Sequence, residues 1–392
     1  MSQLKYWVWL SSLYGVGPSS AMALLRHFGT PEGVFSASTE DYKNVEGLKS
    51  ADIAGLRNKD LALAAERLEA CARIGCRVLT LQDADYPDRL RNIYDPPVVL
   101  YVRGSLPAID EEPVVAIVGT RRCTPYGLKA AEKIGHQLAS RGLTVATGLA
   151  IGVDSAAARG ALGAGGRVIG VIGSGLDVVY PPENEDLFAE VVSSGAILSE
   201  YPPGALAKAV HFPARNRIIS GVSLGVAVIE APKKSGALIT AARALEQGRD
   251  VFALPGNIDA RNCEGSNLLL REGAIPILSA EDIISEYEDI FPESILKDGA
   301  GARDPVKKEI DNTPEVEYID LGKILGDLAG DERLAAEAIG DGPKRADEII
   351  ECSGLTAQQA LAALTMLEIK GYVVRLGSMW KLAPGEKLPT PN

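Results

Sequence analysis

The chain has little of what the commoner chemistries require. Its 392 residues include only three histidines, His27, His136 and His211, too far apart to suggest a metal site. The cysteines Cys71, Cys76, Cys123, Cys263 and Cys352 are odd in number, scattered and without CxxC spacing, so neither a zinc site nor a disulfide framework is supported. No apolar run is long enough for a membrane span. The opening MSQLKYWVWLSS lacks the charged head and long apolar core of a signal peptide. A soluble, cytoplasmic chain without a membrane partner is expected. Also missing are a GxGxxG after a strand, a P-loop ending in Gly-Lys-Ser/Thr, a nucleophile elbow and HExxH. Enzymatic chemistry has no sponsor here, and neither a cofactor nor a metal is expected.

What is present is uneven charge on an ample apolar content of 46%. The net charge of −12 argues against a nucleic-acid partner only until it is localised. Residues 281–320 carry thirteen carboxylates against four cations. Residues 201–250 reverse the sign, with seven cations against three carboxylates. The centre of the chain is thus a basic patch able to attract phosphates.

A chain of this length is expected to form two to four domains. Residues 1–75 read as a small helical domain of helix-hairpin-helix or SAM-like form, with glycine turns at GVGPSS (15–20) and VEGLKSADIAGLR (45–57). Such turns present backbone N–H groups to a phosphate. Few basic side chains flank them, which favours glycines used simply as caps in a helical bundle. From Val114 short Val/Ile-rich runs alternate with amphipathic stretches, the pattern of an α/β, extended Rossmann-like, mostly parallel sheet covered on both faces, over residues 76–285. Ligands bind such sheets beyond the carboxyl ends of their strands. Residues 286–320 read as an acidic linker. Residues 321–386 read as a winged-helix domain of three helices and a hairpin. Its presumed recognition helix, beginning Thr356, Ala357, Gln358, Gln359, has almost no positive charge, so docking of a protein is favoured over duplex binding.

The stretch HFPARNR (211–217) lies between two of the predicted strands. Phe212 offers a stacking face, Arg215 and Arg217 two guanidinium forks, and Asn216 an amide. Those groups suit phosphates and unstacked bases, the profile of single-stranded nucleic acid. The bland alternative is a surface loop with a satisfied Arg pair. In GTRR (119–122), Gly119 lets backbone N–H groups approach an anion, Thr120 adds a hydroxyl and Arg121 a bidentate fork. Gly173 and Ser174 of GSG (173–175) suggest a second, weaker phosphate nest. Ser235, beside Gly236, opens a helix as an N-cap that is also able to face a ligand. Asp154, in TGLAIGVDSAAARGAL (147–162), reads as a helix cap rather than a general base, and the small residues around it as a device for close packing.

With these loops in place, the chain resembles the DNA-processing protein A (DprA/Smf) family. The resemblance rests on VAIVGTR (115–121), TGLAIGVDSAA (147–157), GSGLDVVYPPEN (173–184), LSEYPPG (198–204), HFPARNRIISG (211–221), VIEAPKKSGALITAARALEQGRDVFALPGN (228–257) and EGSNLLLREGA (264–274). They stand in the family's order and cover most of residues 87–285. The resemblance implies a homodimeric, non-catalytic protein that binds single-stranded DNA and loads the recombinase RecA onto it during natural transformation. It places Gly119, Thr120 and Arg121 in a phosphate pocket, makes Arg215 and Arg217 cationic contacts, stacks Phe212 on a base, and has Asn216 meet a base edge or brace the loop. Two departures stand out. Ala158 replaces a histidine frequent in the family, and Ala209 occupies one of two often-basic positions before the Phe, the other keeping Lys208. A rival expectation is a nucleotide-binding enzyme of phosphoribohydrolase type on a similar sheet. Those enzymes carry PGGxGT and a following glutamate, where this chain has LPGNIDARNCEGS (254–266).

Overall fold

A computed structural model describes residues 3–296, 328, 330–339, 344–370, 372–376 and 379–382. The chain forms two compact units, Met1–Pro305 and Val306–Asn392.

The first unit begins with helices α1 (Leu4–Ser12), α2 (Pro18–Phe28), α3 (Pro31–Ser36), α4 (Thr39–Tyr42), α5 (Ser50–Leu56) and α6 (Ala62–Arg73). Its two glycine turns close on each other. A Cβ on Gly15, whose φ is +91°, would lie 2.9 Å from the carbonyl oxygen of Ala51, and one on Gly55 would lie 2.3 Å from that of Tyr14. Glycine is needed there for close approach. Trp7, Trp9 and Leu24 of this segment share one continuous core with the sheet that follows, so residues 1–75 are a helical layer of the unit rather than a separate body.

The sheet is built from β1 (Arg77–Thr80), β2 (Val99–Gly104), β3 (Val114–Val118), β4 (Thr144–Thr147), β5 (Val168–Ile172), β6 (Ala196–Ser199), β7 (Gly225–Val228), β8 (Asp250–Ala253) and β9 (Ile275–Pro276). Its order is β1-β2-β6-β5-β4-β3-β7-β8-β9. The pairs from β6 to β9 are parallel, while β1 and β2 close one edge antiparallel. The expected α/β class holds. Strands buried on both faces need no polar alternation, which is why they read as continuous Val/Ile runs. Val115 and Ile117 join one core, and Val114, Ala116 and Val118 join the other.

The helices between strands are α7 (Asp88–Arg91), α8 (Pro125–Ser140), α9 (Val153–Gly163), α10 (Glu185–Ser194), α11 (His211–Gly221) and α12 (Gly236–Glu246), then α13 (Glu264–Arg271) and α14 (Glu281–Ile284). Helices α8 to α10 cover the first face, α11 and α12 the second. The small residues of α9 serve its packing on α8, where a Cβ on Gly160 would lie 2.0 Å from the carbonyl oxygen of Glu132. Two boundaries shift. HFPARNR is not a loop but the first two turns of α11. The packed unit runs past residue 285, since Tyr287 and Ile295 are buried in its core and Leu296 N donates to Arg141 O at 2.9 Å. Residues 297–320 of the expected linker lie outside the described residues.

The second unit contains α15 (Asp331–Ile339), β10 (Lys344–Arg345), α16 (Ala346–Ser353), α17 (Ala357–Ile369), β11 (Val373–Leu376) and β12 (Met379–Leu382), with strand order β10-β12-β11. Ile339, Ile349, Leu364 and Leu367 form its core with Trp380. Thr356 and Gln359 make a capping box at the start of α17.

Candidate nucleic-acid interface

The strand order turns back at β3: β4 pairs on one side, β7 on the other. Where a parallel sheet reverses in this way, the connections leave its carboxyl edge in opposite directions and open a crevice. Here that crevice is a cleft of about 860 Å³, walled by the β3–α8 loop, the start of α11, the β7–α12 loop and residues 261–264.

The β3–α8 loop is pinned at two points. Thr120 N donates to Glu230 O at 2.8 Å, tying it to the end of β7. The buried Glu230 carboxylate then accepts from Thr124 N at 2.9 Å and from Thr124 Oγ1 at 2.5 Å. Thr124 in turn caps α8 by accepting from Gly127 N at 3.1 Å. Between those anchors Arg121 and Arg122 are left exposed at the cleft mouth. Gly119 fits only as glycine, because a Cβ there would fall 2.6–2.8 Å from Val153.

Opposite, Ser235 caps α12 by accepting from Ala237 N at 3.2 Å. Asn216 is buried and donates Nδ2 to Gly236 O at 3.1 Å, so it braces the α12 entrance. Gly236 itself has open space in front of it. Phe212 is half-buried on the cleft rim, with the Arg121 guanidinium 5.0 Å from its ring centroid.

Other expected site residues are buried or lie off the cleft wall. Arg215 borders the cleft yet is only 5% exposed, and its Nη1 donates to Gly148 O at 2.8 Å and also to Val171 O. Burial lowers its pKa to about 10, and Asp154 across Gly148 pulls the other way. Asp154 is not the cap of α9 that the sequence suggests, since Gly152 holds that place. It is a buried carboxylate accepting from Gly148 N at 3.1 Å, its pKa raised by burial against the pull of Arg215. Arg217 does not face the cleft. It donates Nη2 to Glu200 Oε1 at 2.7 Å and lies 3.3 Å from Asp95 Oδ2, beside a separate cavity of about 420 Å³ against the helical layer. Burial disfavours its charge, but those two carboxylates outweigh that and raise its pKa. Three polar side chains on consecutive positions of α11 are therefore spent inside the fold.

The expected second nest is likewise internal. Ser174 is buried with Oγ donating to Val178 O at 2.8 Å, and Gly173 backs onto His211, whose Nδ1 is 2.9 Å from Gly173 O. Lys208 is exposed but outside the cleft wall.

The expected site residues did not include Arg122, Lys233, Lys234 or Arg261, all exposed on the cleft wall, although the two lysines belong to the basic patch of residues 201–250. The signal was there for three of them, as the doublets RR and KK each follow a strand end. With Arg121 they make five exposed cations. The carboxylates on the same wall are Asp154, which is buried, and Glu264, 3.8 Å from Lys233. The cleft is therefore electropositive within an acidic protein.

A Rossmann-like sheet with a basic crevice at its carboxyl edge, followed by a separate winged-helix unit, defines the class. Residues 77–288 match the family model described as DNA recombination-mediator protein A, and residues 325–378 match that of the DprA winged helix domain. Protein Smf of Synechocystis sp. is 36% identical over 401 residues, covering 95% of this chain and 96% of that one. The chain belongs to the DNA recombination-mediator protein A family. DNA processing protein DprA of Streptococcus pneumoniae is 46% identical over 209 residues, covering 53% of this chain and 73% of its own. The X-ray structure of the Streptococcus pneumoniae protein aligns with a TM-score of 0.65 at 35% identity, covering 73% of this chain and 99% of that one. A Helicobacter pylori structure, titled for the single-stranded DNA binding mode of DNA processing protein A, aligns with a TM-score of 0.50 at 32% identity, covering 55% and 97%.

Proposed function

We propose that this chain binds single-stranded DNA along the basic cleft and delivers a RecA-type recombinase to it. In this reading it works as a cytoplasmic homodimer without catalysing a reaction. The observation that supports it most is the ring of Arg121, Arg122, Lys233, Lys234 and Arg261 around one crevice, with the α12 entrance open at Gly236. Phosphates track the cations, while Phe212 offers a ring at the rim to a base. Cleft side chains that are long, cationic and exposed suit a flexible polyanion better than a small substrate, which would need fixed polar groups converging on a reacting atom. The Helicobacter pylori relative supports the choice of DNA strand.

Titrating fluorescein-labelled oligo-dT by anisotropy tests the reading. Wild-type chain should bind, and Arg121→Ala and Lys233→Ala should each weaken binding with the fold intact. Unchanged affinity in both variants removes the cleft as the site. Delivery of the recombinase is read separately, from the rate of RecA strand exchange on strands first coated with this protein. Two copies per particle in sedimentation would support the dimer.

A further inference from the structure

A second ring stands beside Phe212. Tyr180, in the loop between β5 and α10, has its ring centroid 5.5 Å from that of Phe212, with the planes tilted by 35°. It is 41% exposed, and Ile151 nearby is 42% exposed. The two share a hollow of about 50 Å³ with Arg121 and Phe212, just outside the cleft.

The backbone beside this apolar ledge is strained. Leu149 has φ +51°, among the described residues the one non-glycine side chain in that region. Leu149 itself is buried, and its carbonyl accepts Asn184 Nδ2 at 3.0 Å. Asn184 belongs to the same YPPEN run as Tyr180, so one hydrogen bond ties both walls of the hollow. The preceding Gly148 is held by Arg215 and Asp154. Strain of this kind persists only where the surroundings over-determine it, and such places cluster at binding sites. Phe212, by contrast, is half-buried and already carries the Arg121 guanidinium. Tyr180 presents the more open face.

We infer that Tyr180 and Ile151 form a ledge for a second base, so that the strand leaves the cleft over the β4–α9 and β5–α10 connections. This rests on the single-strand reading of the cleft. Every base has a π-face, so the ledge adds affinity without sequence preference.

The test compares oligo-dT with an abasic oligomer of equal length, using wild type, Tyr180→Ala, Tyr180→Phe and Tyr180→Trp. Tyr180→Ala should lose about tenfold on oligo-dT and nothing on the abasic strand, while Tyr180→Phe stays within about twofold of wild type. Tyr180→Trp should gain an indole emission that oligo-dT quenches beyond any change in wild type. Wild-type binding with Tyr180→Ala unchanged, equal losses on both strands, or no added quenching would each overturn the ledge alone. Wild type binding neither strand would remove the single-strand reading, and the ledge with it.

Discussion

Arg215 and Asp154 hold opposite ends of one residue. Arg215 Nη1 donates to Gly148 O at 2.8 Å, and Gly148 N donates to Asp154 Oδ2 at 3.1 Å. A Cβ on Gly148 would lie 2.6 Å from both terminal nitrogens of Arg215 and 2.7 Å from Asp154 Oδ2. The guanidinium is thus a beam under the cleft floor, and its contribution is to stability first.

Arg215→Ala should therefore lower unfolding stability by about 2–5 kcal/mol in urea titrations, because two carbonyls lose their donor and Asp154 loses its countercharge. Arg121→Ala, changing an exposed side chain, should stay within about 0.5 kcal/mol of wild type. Equal effects of the two would refute the distinction.

Arg217→Met should cost about 3–5 kcal/mol, since it strands the Glu200 and Asp95 carboxylates. Adding Glu200→Gln should recover part of that loss. Oligo-dT affinity of the folded protein should hold, because Arg217 is not on the cleft wall. Thermal melts and anisotropy on the same samples decide it.

Lys233→Ala combined with Lys234→Ala should flatten the dependence of log affinity on log salt by about 0.7 for each phosphate no longer neutralised. Binding should weaken on every sequence alike. A slope unchanged from wild type would mean that these lysines meet no phosphate.

Gly119→Ala should impair folding and binding together, since its methyl group would fall 2.6–2.8 Å from Val153. Overpacking of this kind costs about 1–3 kcal/mol. Limited proteolysis and anisotropy would report the two effects.

Alkali should unfold the protein through its phenols. Burial pushes Tyr42 and Tyr201 from an ordinary value of 10.0 up to about 12, helped by the Asp41 and Glu200 charges. It drives Tyr101 and Tyr287 higher still, and holds Tyr86 well above the ordinary value. A phenol that keeps its proton longer in the native state contributes fully below pH 10, and that contribution is lost as pH rises from 10 towards 12. The phenols held up in this way should ionise in ultraviolet absorbance only as circular dichroism collapses.

Much of this architecture was legible in the residues. Strands β3 to β8 read directly as Val/Ile runs, because both faces of each are covered. Helix α11 was hidden for the opposite reason. Arg215, Asn216 and Arg217 are buried on consecutive positions, so the usual apolar stripe is replaced by polar side chains satisfied through Gly148, Gly236 and Glu200, partners 17 to 67 residues away. No local pattern signals such pairing. The same gap put Arg217 in the expected site and left Lys233, Lys234 and Arg122 out of it. Exposure, which sequence does not reveal, separates a cation that meets a ligand from one that props the floor.

The bond from Thr120 N to the carbonyl of Glu230, with Thr124 clasped by the same residue's carboxylate, leaves the arginine-bearing connection no folding to do when a ligand arrives. Capture then freezes only side-chain rotamers, about 2 kcal/mol per arginine at most, rather than about 1–2 kcal/mol for every backbone residue in addition. Encounter frequency, not slow closure, should set how fast this rim fills.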